Sequence, residues 1–163
     1  MSKTKENLMI AFSGESQANR KYLAYAKVAE KEGLSQVAKL FRAAAEAETI
    51  HAHAHLRNAG KIGDTAANLK DALEGETYEF TKMYPPMIAQ AEADGDKAAA
   101  KYFAYANAVE EVHAGLYKKA LADPQGLASA DYYLCGVCGY THEGICDKCP
   151  VCGAGKNAFF RSG

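Results

Sequence analysis

Apolar residues recur at helical spacing through most of the chain, and then the pattern stops. From the N-terminus to about Leu121, Ala, Leu, Ile, Val and aromatic side chains return every three or four positions among Glu, Lys and other polar residues. This is the stripe of an amphipathic helix. Ser2 or Thr4 can cap a first helix that ends near Gly33, and Ser35 a second that runs to about Asn58. Asp64 or Thr65 opens a third stretch reaching Asp94-Gly95. Asp96 caps a fourth, which Asp123-Pro124-Gln125-Gly126 breaks. The third stretch is imperfect. Gly75 lies inside it, and Pro85-Pro86 remove two amide donors, which predicts a kink or distortion near Tyr84. Four such helices joined by short links pack most simply as an antiparallel four-helix bundle.

From Asp131 the texture changes. Tyr132-Tyr133-Leu134 predicts a short strand, followed by Cys and Gly turns with almost no helical pattern. The expected division is a bundle over residues 1–124 and a small β/knuckle module over 130–163. A segment that short cannot bury a self-sufficient core, since below roughly 40 residues a metal or disulfide is usually needed.

The bundle carries a weak internal repeat. When the second helix is laid on the fourth so that Phe41 meets Phe103, Lys39, Ala44, Glu48, His51 and Ala52 fall on Lys101, Ala106, Glu110, His113 and Ala114. Glu48-Thr49-Ile50-His51 and Glu110-Glu111-Val112-His113 are thus matching Glu-x-x-His pairs. Positions i and i+3 lie on one helix face, so carboxylate and imidazole can converge on one metal. One such pair recurs by chance on solvated helices. Two, on the second and fourth helices, match the ferritin-like di-metal pattern, which also needs a Glu from each of the other helices.

On the first helix Glu15 is the best candidate, because it interrupts an apolar face with Leu8, Ala11, Phe12, Tyr22 and Ala26. On the third, Glu76 and Glu79 stand at i and i+3. Five negative charges in one core require cations. Two charges about 4 Å apart repel by about 4 kcal/mol at an effective dielectric near 20. Two divalent ions nearly neutralise the set, and carboxylates with imidazoles suit iron or manganese. His53 and His55 read as ordinary helix-surface residues. A rival His51–His55 pair at i, i+4 finds no matching second histidine on the fourth helix.

All five cysteines lie between Cys135 and Cys152. Cys135-Gly136-Val137-Cys138-Gly139 and Cys149-Pro150-Val151-Cys152-Gly153 are two Cys-x-x-Cys turns, the pattern of a four-sulfur tetrahedral site for iron or zinc. Cys146-Asp147-Lys148-Cys149 is also Cys-x-x-Cys, but Pro150 and Gly153 favour Cys149 with Cys152 and leave Cys146 a free thiol. Tyr132, Tyr133, Tyr140, Phe159 and Phe160 are the expected aromatic core around this metal.

These motifs together resemble the rubrerythrin family over nearly the whole chain. The resemblance implies a di-iron site ligated by Glu15, Glu48, His51, Glu76, Glu79, Glu110 and His113. It also implies a rubredoxin-like module with a mononuclear iron held by Cys135, Cys138, Cys149 and Cys152, with zinc or manganese as possible substitutes. Glu74 to Glu79, followed by Met83-Tyr84-Pro85, looks like the family's third-helix signature. Tyr22 and Tyr84 match its two tyrosines beside the ligating carboxylates. Phe12 stands where a first-half counterpart of Glu76 would be, which implies inequivalent iron sites and a histidine that can exchange with a carboxylate.

The activity so implied is a non-haem di-iron peroxidase reducing hydrogen peroxide to water in oxidative-stress defence. Its electrons come through the four-cysteine iron from an external donor, a rubredoxin or an NAD(P)H-dependent reductase. A homodimer, with or without exchanged helices, is implied too, with one subunit's small module near the other subunit's di-metal site. The knuckle spacer is short even for this family. The rival functions are ferroxidase chemistry and iron handling, as in ferritins, or a zinc-ribbon adaptor without enzymatic activity.

Composition excludes other classes. A net charge of −1, from 19 Lys+Arg and 20 Asp+Glu, gives no nucleic-acid clamp and no polybasic membrane patch. No apolar run approaches the roughly 20 residues of a membrane span. The N-terminus turns helical without an apolar leader. A cytoplasmic protein is expected.

Overall fold

The computed structural model describes residues 2–163. The fold is mainly α, with four helical arms of the ferritin-like kind, followed by a small three-stranded sheet. The described chain forms two compact units, meeting in sequence at Gly63 and Asp64.

The first unit is a helical hairpin. Helix α1 spans Lys3–Lys31 and α2 spans Ser35–Asn58. Ser2 caps α1 through a bond from the Lys5 amide. Gly33 (φ +77°) makes the reversal in a conformation that other residues rarely adopt. Ser35 does not cap α2. It is the first helical residue, and Leu34 occupies the cap position without a side-chain bond. The two helices pack through small residues, Ala26, Ala29, Ala38, Ala45 and Ala52, all buried, with Phe41 partly buried beside them. Small side chains at the seam let the helices approach closely. Larger apolar residues point outward: Ile10, Leu40 and Ile50 are each about two-thirds exposed.

In the second unit, the third arm is broken in the middle. Helix α3 (Thr65–Tyr78) is capped by Asp64, which accepts from the Ala67 amide at 2.8 Å. It passes into a π-helical turn, Glu79–Met83, and then into α4 (Tyr84–Ala93). The expected distortion is present just ahead of Tyr84. The prolines themselves sit in the first turn of α4, where their missing amides need no partner. Helix α5 (Lys97–Ala122), capped by Asp96, packs against both α3 and α4.

Strands β1 (Tyr132–Cys135), β2 (Thr141–Glu143) and β3 (Phe159–Arg161) form an antiparallel sheet in the order β2–β1–β3. Tyr133 pairs with His142 and Leu134 with Phe160. The aromatic core is smaller than the five expected residues. Tyr140 meets Phe159 edge-on and stacks on His142, whereas Phe160 is 55% and Tyr132 37% exposed. The most deeply buried side chains here are Cys135 and Cys149, so the metal position occupies the centre that aromatics would otherwise fill.

The sheet rests on α5 within this unit. Lys119 donates to both carboxylate oxygens of Glu143, at 2.8 and 2.9 Å. Thr141 lies 3.0 Å from His113.

Candidate metal centres

The two Cys-x-x-Cys turns fold alike. The Gly139 amide donates to the Cys135 carbonyl, and the Gly153 amide to the Cys149 carbonyl. Both glycines have positive φ, +85° and +77°, which lets the chain turn back under the sulfurs. Cys135, Cys138, Cys149 and Cys152 converge, with sulfur–sulfur distances of 3.6 Å (Cys135–Cys152) and 3.5 Å (Cys138–Cys149). A tetrahedral site with metal–sulfur bonds near 2.3 Å has edges of about 3.8 Å, so the four thiols fit a metal with small adjustment. Burial pushes the Cys135 thiol up. The backbone amides of Val137 and Cys138, with hydrogen bonds from Cys152 and Cys138, outweigh that and bring it down to about 7. Burial raises Cys138 and Cys152. A metal that replaces the protons resolves this uneven sharing among four crowded sulfurs. Cys146 stays outside the group as a half-buried free thiol.

The Glu-x-x-His pairs form as their spacing predicts. In the first unit, Glu48 Oε2 and His51 Nδ1 are 2.8 Å apart, and Glu15 from α1 joins them in one group of potential metal ligands. Asn19 ties the two helices together nearby, donating to the Ala45 carbonyl at 2.7 Å and to Thr49 at 2.9 Å.

In the second unit the equivalent group is Glu76, Glu110 and His113. His113 Nδ1 lies 2.8 Å from Glu110 Oε2 and 3.7 Å from Glu76 Oε1. All three side chains are about three-quarters or more buried. Burial, and then the adjacent Glu110, push Glu76 up to about 7, although His113 acts the other way. Burial and the charge of Glu79 push Glu110 up. Glu76 Oε2 is buried and accepts from no donor among the described residues. Crowded carboxylates, one with an orphaned oxygen, beside an imidazole nitrogen are a donor set that a divalent cation satisfies. Glu79 belongs to neither trio. It stands close enough to be raised by burial and by Glu76, and its charge in turn acts on Glu110 and Tyr84.

The two tyrosines differ. Burial, then Glu110, Glu79 and Glu76, hold the Tyr84 hydroxyl protonated, placing it among the second-unit carboxylates. Tyr22 packs with Tyr25 and Phe41 in an aromatic group of the first unit. A cavity of about 370 Å³, lined by Leu69, Leu116, Tyr117 and Tyr132, opens onto Glu76 and His113.

Thr141 is a contact that the linear pattern could not supply. It lies far along the chain from His113 and meets it only because β2 sits on α5. No residue motif marks it.

Comparison with known proteins agrees with these groups. The family profile described as rubrerythrin matches residues 6–121, and that of the rubrerythrin rubredoxin-like domain matches residues 133–160. Nigerythrin of Nitratidesulfovibrio vulgaris is 37% identical, over 96% of this chain and 85% of its own length. A rubrerythrin of Porphyromonas gingivalis is 36% identical, over 98% of this chain and 89% of its own. Among solved structures, the fully reduced, all-ferrous state of nigerythrin superposes with a TM-score of 0.60 at 34% identity. That match covers 99% of this chain and 88% of nigerythrin. No helix among the described residues is long and apolar enough to cross a membrane. The chain belongs to the rubrerythrin family.

Proposed function

We propose that this protein is a non-haem di-iron peroxidase: hydrogen peroxide, two protons and two electrons give two waters. Glu15, Glu48, His51, Glu76, Glu79, Glu110 and His113 hold two irons, and Cys135, Cys138, Cys149 and Cys152 hold a third. Iron bound in the carboxylate–histidine groups supplies the two electrons and a Lewis acid. The chain's own residues provide the rest. The carboxylates balance the metal charge, and their crowding favours ligation over ionisation without a cation. Tyr84, kept protonated by burial and by the charges of Glu110, Glu79 and Glu76, has a hydroxyl proton to offer beside those carboxylates. The cavity beside Glu76 and His113 is ample for a molecule the size of hydrogen peroxide.

The observation that carries this reading is the seating of the four-cysteine module against His113. A one-electron centre in contact with a ligand of a second centre suits a peroxidase fed one electron at a time. Iron storage and adaptor roles have no use for it. The electrons come from an external donor, a rubredoxin or a reductase using NAD(P)H. A homodimer, with or without exchanged helices, covers apolar side chains that the first unit leaves exposed, Ile10, Leu40 and Ile50 among them. The domains run over 1–124 and 130–163. A reducing cytoplasm keeps Cys146 a thiol.

The test is anaerobic. The iron-loaded protein is reduced and mixed with one equivalent of hydrogen peroxide, and the absorption of both iron centres is followed. Rapid return of both is expected. No rapid reoxidation overturns the proposal. Growth of a ferric mineral in air points to iron handling, and zinc as the sole metal of native protein points to an adaptor.

A further inference from the structure

We propose that Thr141 is a positioning residue for His113, and that it links the four-cysteine module to a ligand of the di-metal site. The inference rests on the di-metal reading above. His113 presents two nitrogens to two different environments. Nδ1 faces Glu110 Oε2 at 2.8 Å and Glu76 Oε1 at 3.7 Å. Nε2 faces away from them and lies 3.0 Å from Thr141 Oγ1. The direction of that second bond follows from the hydroxyl's other partner. Thr141 Oγ1 is 3.1 Å from the Gly139 carbonyl, which can only accept. A hydroxyl has one proton. Given to Gly139, it leaves the oxygen's lone pairs to accept from Nε2–H. The imidazole is then held as the tautomer whose Nδ1 lone pair points at the carboxylates.

That arrangement sets a nitrogen lone pair against the Glu110 carboxylate at 2.8 Å, two acceptors with nothing to share unless a cation or proton lies between them. A histidine ligand whose other nitrogen is anchored by an oxygen is the usual device for orienting a metal site. Here the anchor belongs to the other metal centre. Gly139 follows Cys138 directly, and its amide donates to the Cys135 carbonyl. A continuous run therefore leads from Cys138 through the Gly139 carbonyl, the Thr141 hydroxyl and the His113 ring. The first unit has no equivalent among the described residues. His51 makes the same bond to its glutamate but is 57% exposed.

The experiment compares full-length wild type, Thr141→Val and Thr141→Ser, each with the four-cysteine site loaded. Valine keeps the shape and removes the hydroxyl, and serine keeps the hydroxyl. Unchanged metal–thiolate absorption and helical circular dichroism establish that each variant is folded. Anaerobic Fe²⁺ titration of the carboxylate–histidine groups is the first readout. Thr141→Val should bind at one group about tenfold more weakly or worse, and Thr141→Ser within about twofold of wild type. The second readout is the His113 Nε2–H proton in the zinc-loaded protein. It should be protected from solvent exchange in wild type and Thr141→Ser and exposed in Thr141→Val. Wild-type affinity and protection in Thr141→Val overturn the proposal, as does equal loss in both variants. Failure of wild type to take up Fe²⁺ overturns the di-metal reading itself, and the two failures are therefore distinguishable.

Discussion

Replacing Glu76 by glutamine should stabilise the metal-free protein while removing a proposed metal ligand. In the fold, burial and Glu110 raise this carboxyl from 4.5 to about 7. Below about pH 4.5 the group is neutral in the folded and unfolded chains alike and costs nothing. Between 4.5 and 7 the unfolded chain ionises it while the fold resists. Above 7 the fold carries the full burden of a buried charge. The stability that protonation provides is therefore present in acid and lost as pH rises through 7. At about 1.4 kcal/mol per pH unit the ceiling is about 3 kcal/mol. Glu76 is 21% exposed, and solvent screening lowers the expected effect to about 1–2 kcal/mol. For a chain of this length that is roughly 2–8 °C in melting temperature. Thermal melts of metal-free wild type and Glu76→Gln, from pH 4.5 to 8, measure it. The variant should melt higher at pH 8, the gap should close toward pH 4.5, and added Fe²⁺ should reverse the order. A variant that is no more stable at pH 8, or a gap that does not change with pH, refutes the account of a strained carboxylate relieved by metal.

Three further outcomes follow from the same geometry. Cys146→Ser should leave the ferric-thiolate spectrum of the four-sulfur site unchanged, while Cys149→Ser should abolish it, because Cys146 stands outside the four-sulfur group. Tyr84→Phe should retain iron content and melting temperature but slow reoxidation by peroxide, measured by stopped flow, by about 10- to 100-fold, the usual range when a partner of a ligating group is removed. Stripping the thiolate-bound metal with a strong chelator should expose residues 131–163 to proteolysis while the helical circular dichroism persists. That module's only fully buried side chains among the described residues are Cys135 and Cys149.

Much of this was legible in the chain, for local reasons. Asp64 and Asp96 cap the helices that their positions predict, because an N-cap is decided by a few neighbouring residues. Glu48 and His51 meet, as do Glu110 and His113, because helical geometry alone brings i and i+3 together. The choice of Cys149 over Cys146 as the partner of Cys152 followed from the turn residues Pro150 and Gly153, and Gly153 has the positive φ that such a turn needs. Other features depend on geometry that spacing does not fix. Ser35 fails as a cap because Leu34 already holds that place at the hairpin bend. Glu79 and Glu76 read alike in sequence. The π-helical turn begins at Glu79, and Glu76 joins Glu110 and His113 where Glu79 does not. The seating of the small module on α5, through Thr141 and Glu143, likewise joins residues far apart in the chain. Thr141 was invisible because no spacing rule connects a strand of one module to a helix of another.

The composition of the helical interior ties stability to function. Among the described residues, every fully buried apolar side chain on the helices is an alanine, apart from Val109. An alanine buries little more than one methyl, worth about 0.8 kcal/mol, so such a core contributes modestly against the entropy of ordering long helices. The side chains able to contribute more, Ile10, Leu40, Ile50, Tyr78 and Tyr102, lie largely exposed. At the same time the second unit holds carboxylates whose charges oppose folding unless a cation is present. A fold with a light core, bare apolar faces and crowded acids gains its stability from what it binds, and each bound metal or partner adds to it by mass action. The residues that weaken the isolated chain are thus the ones that give it metals to hold.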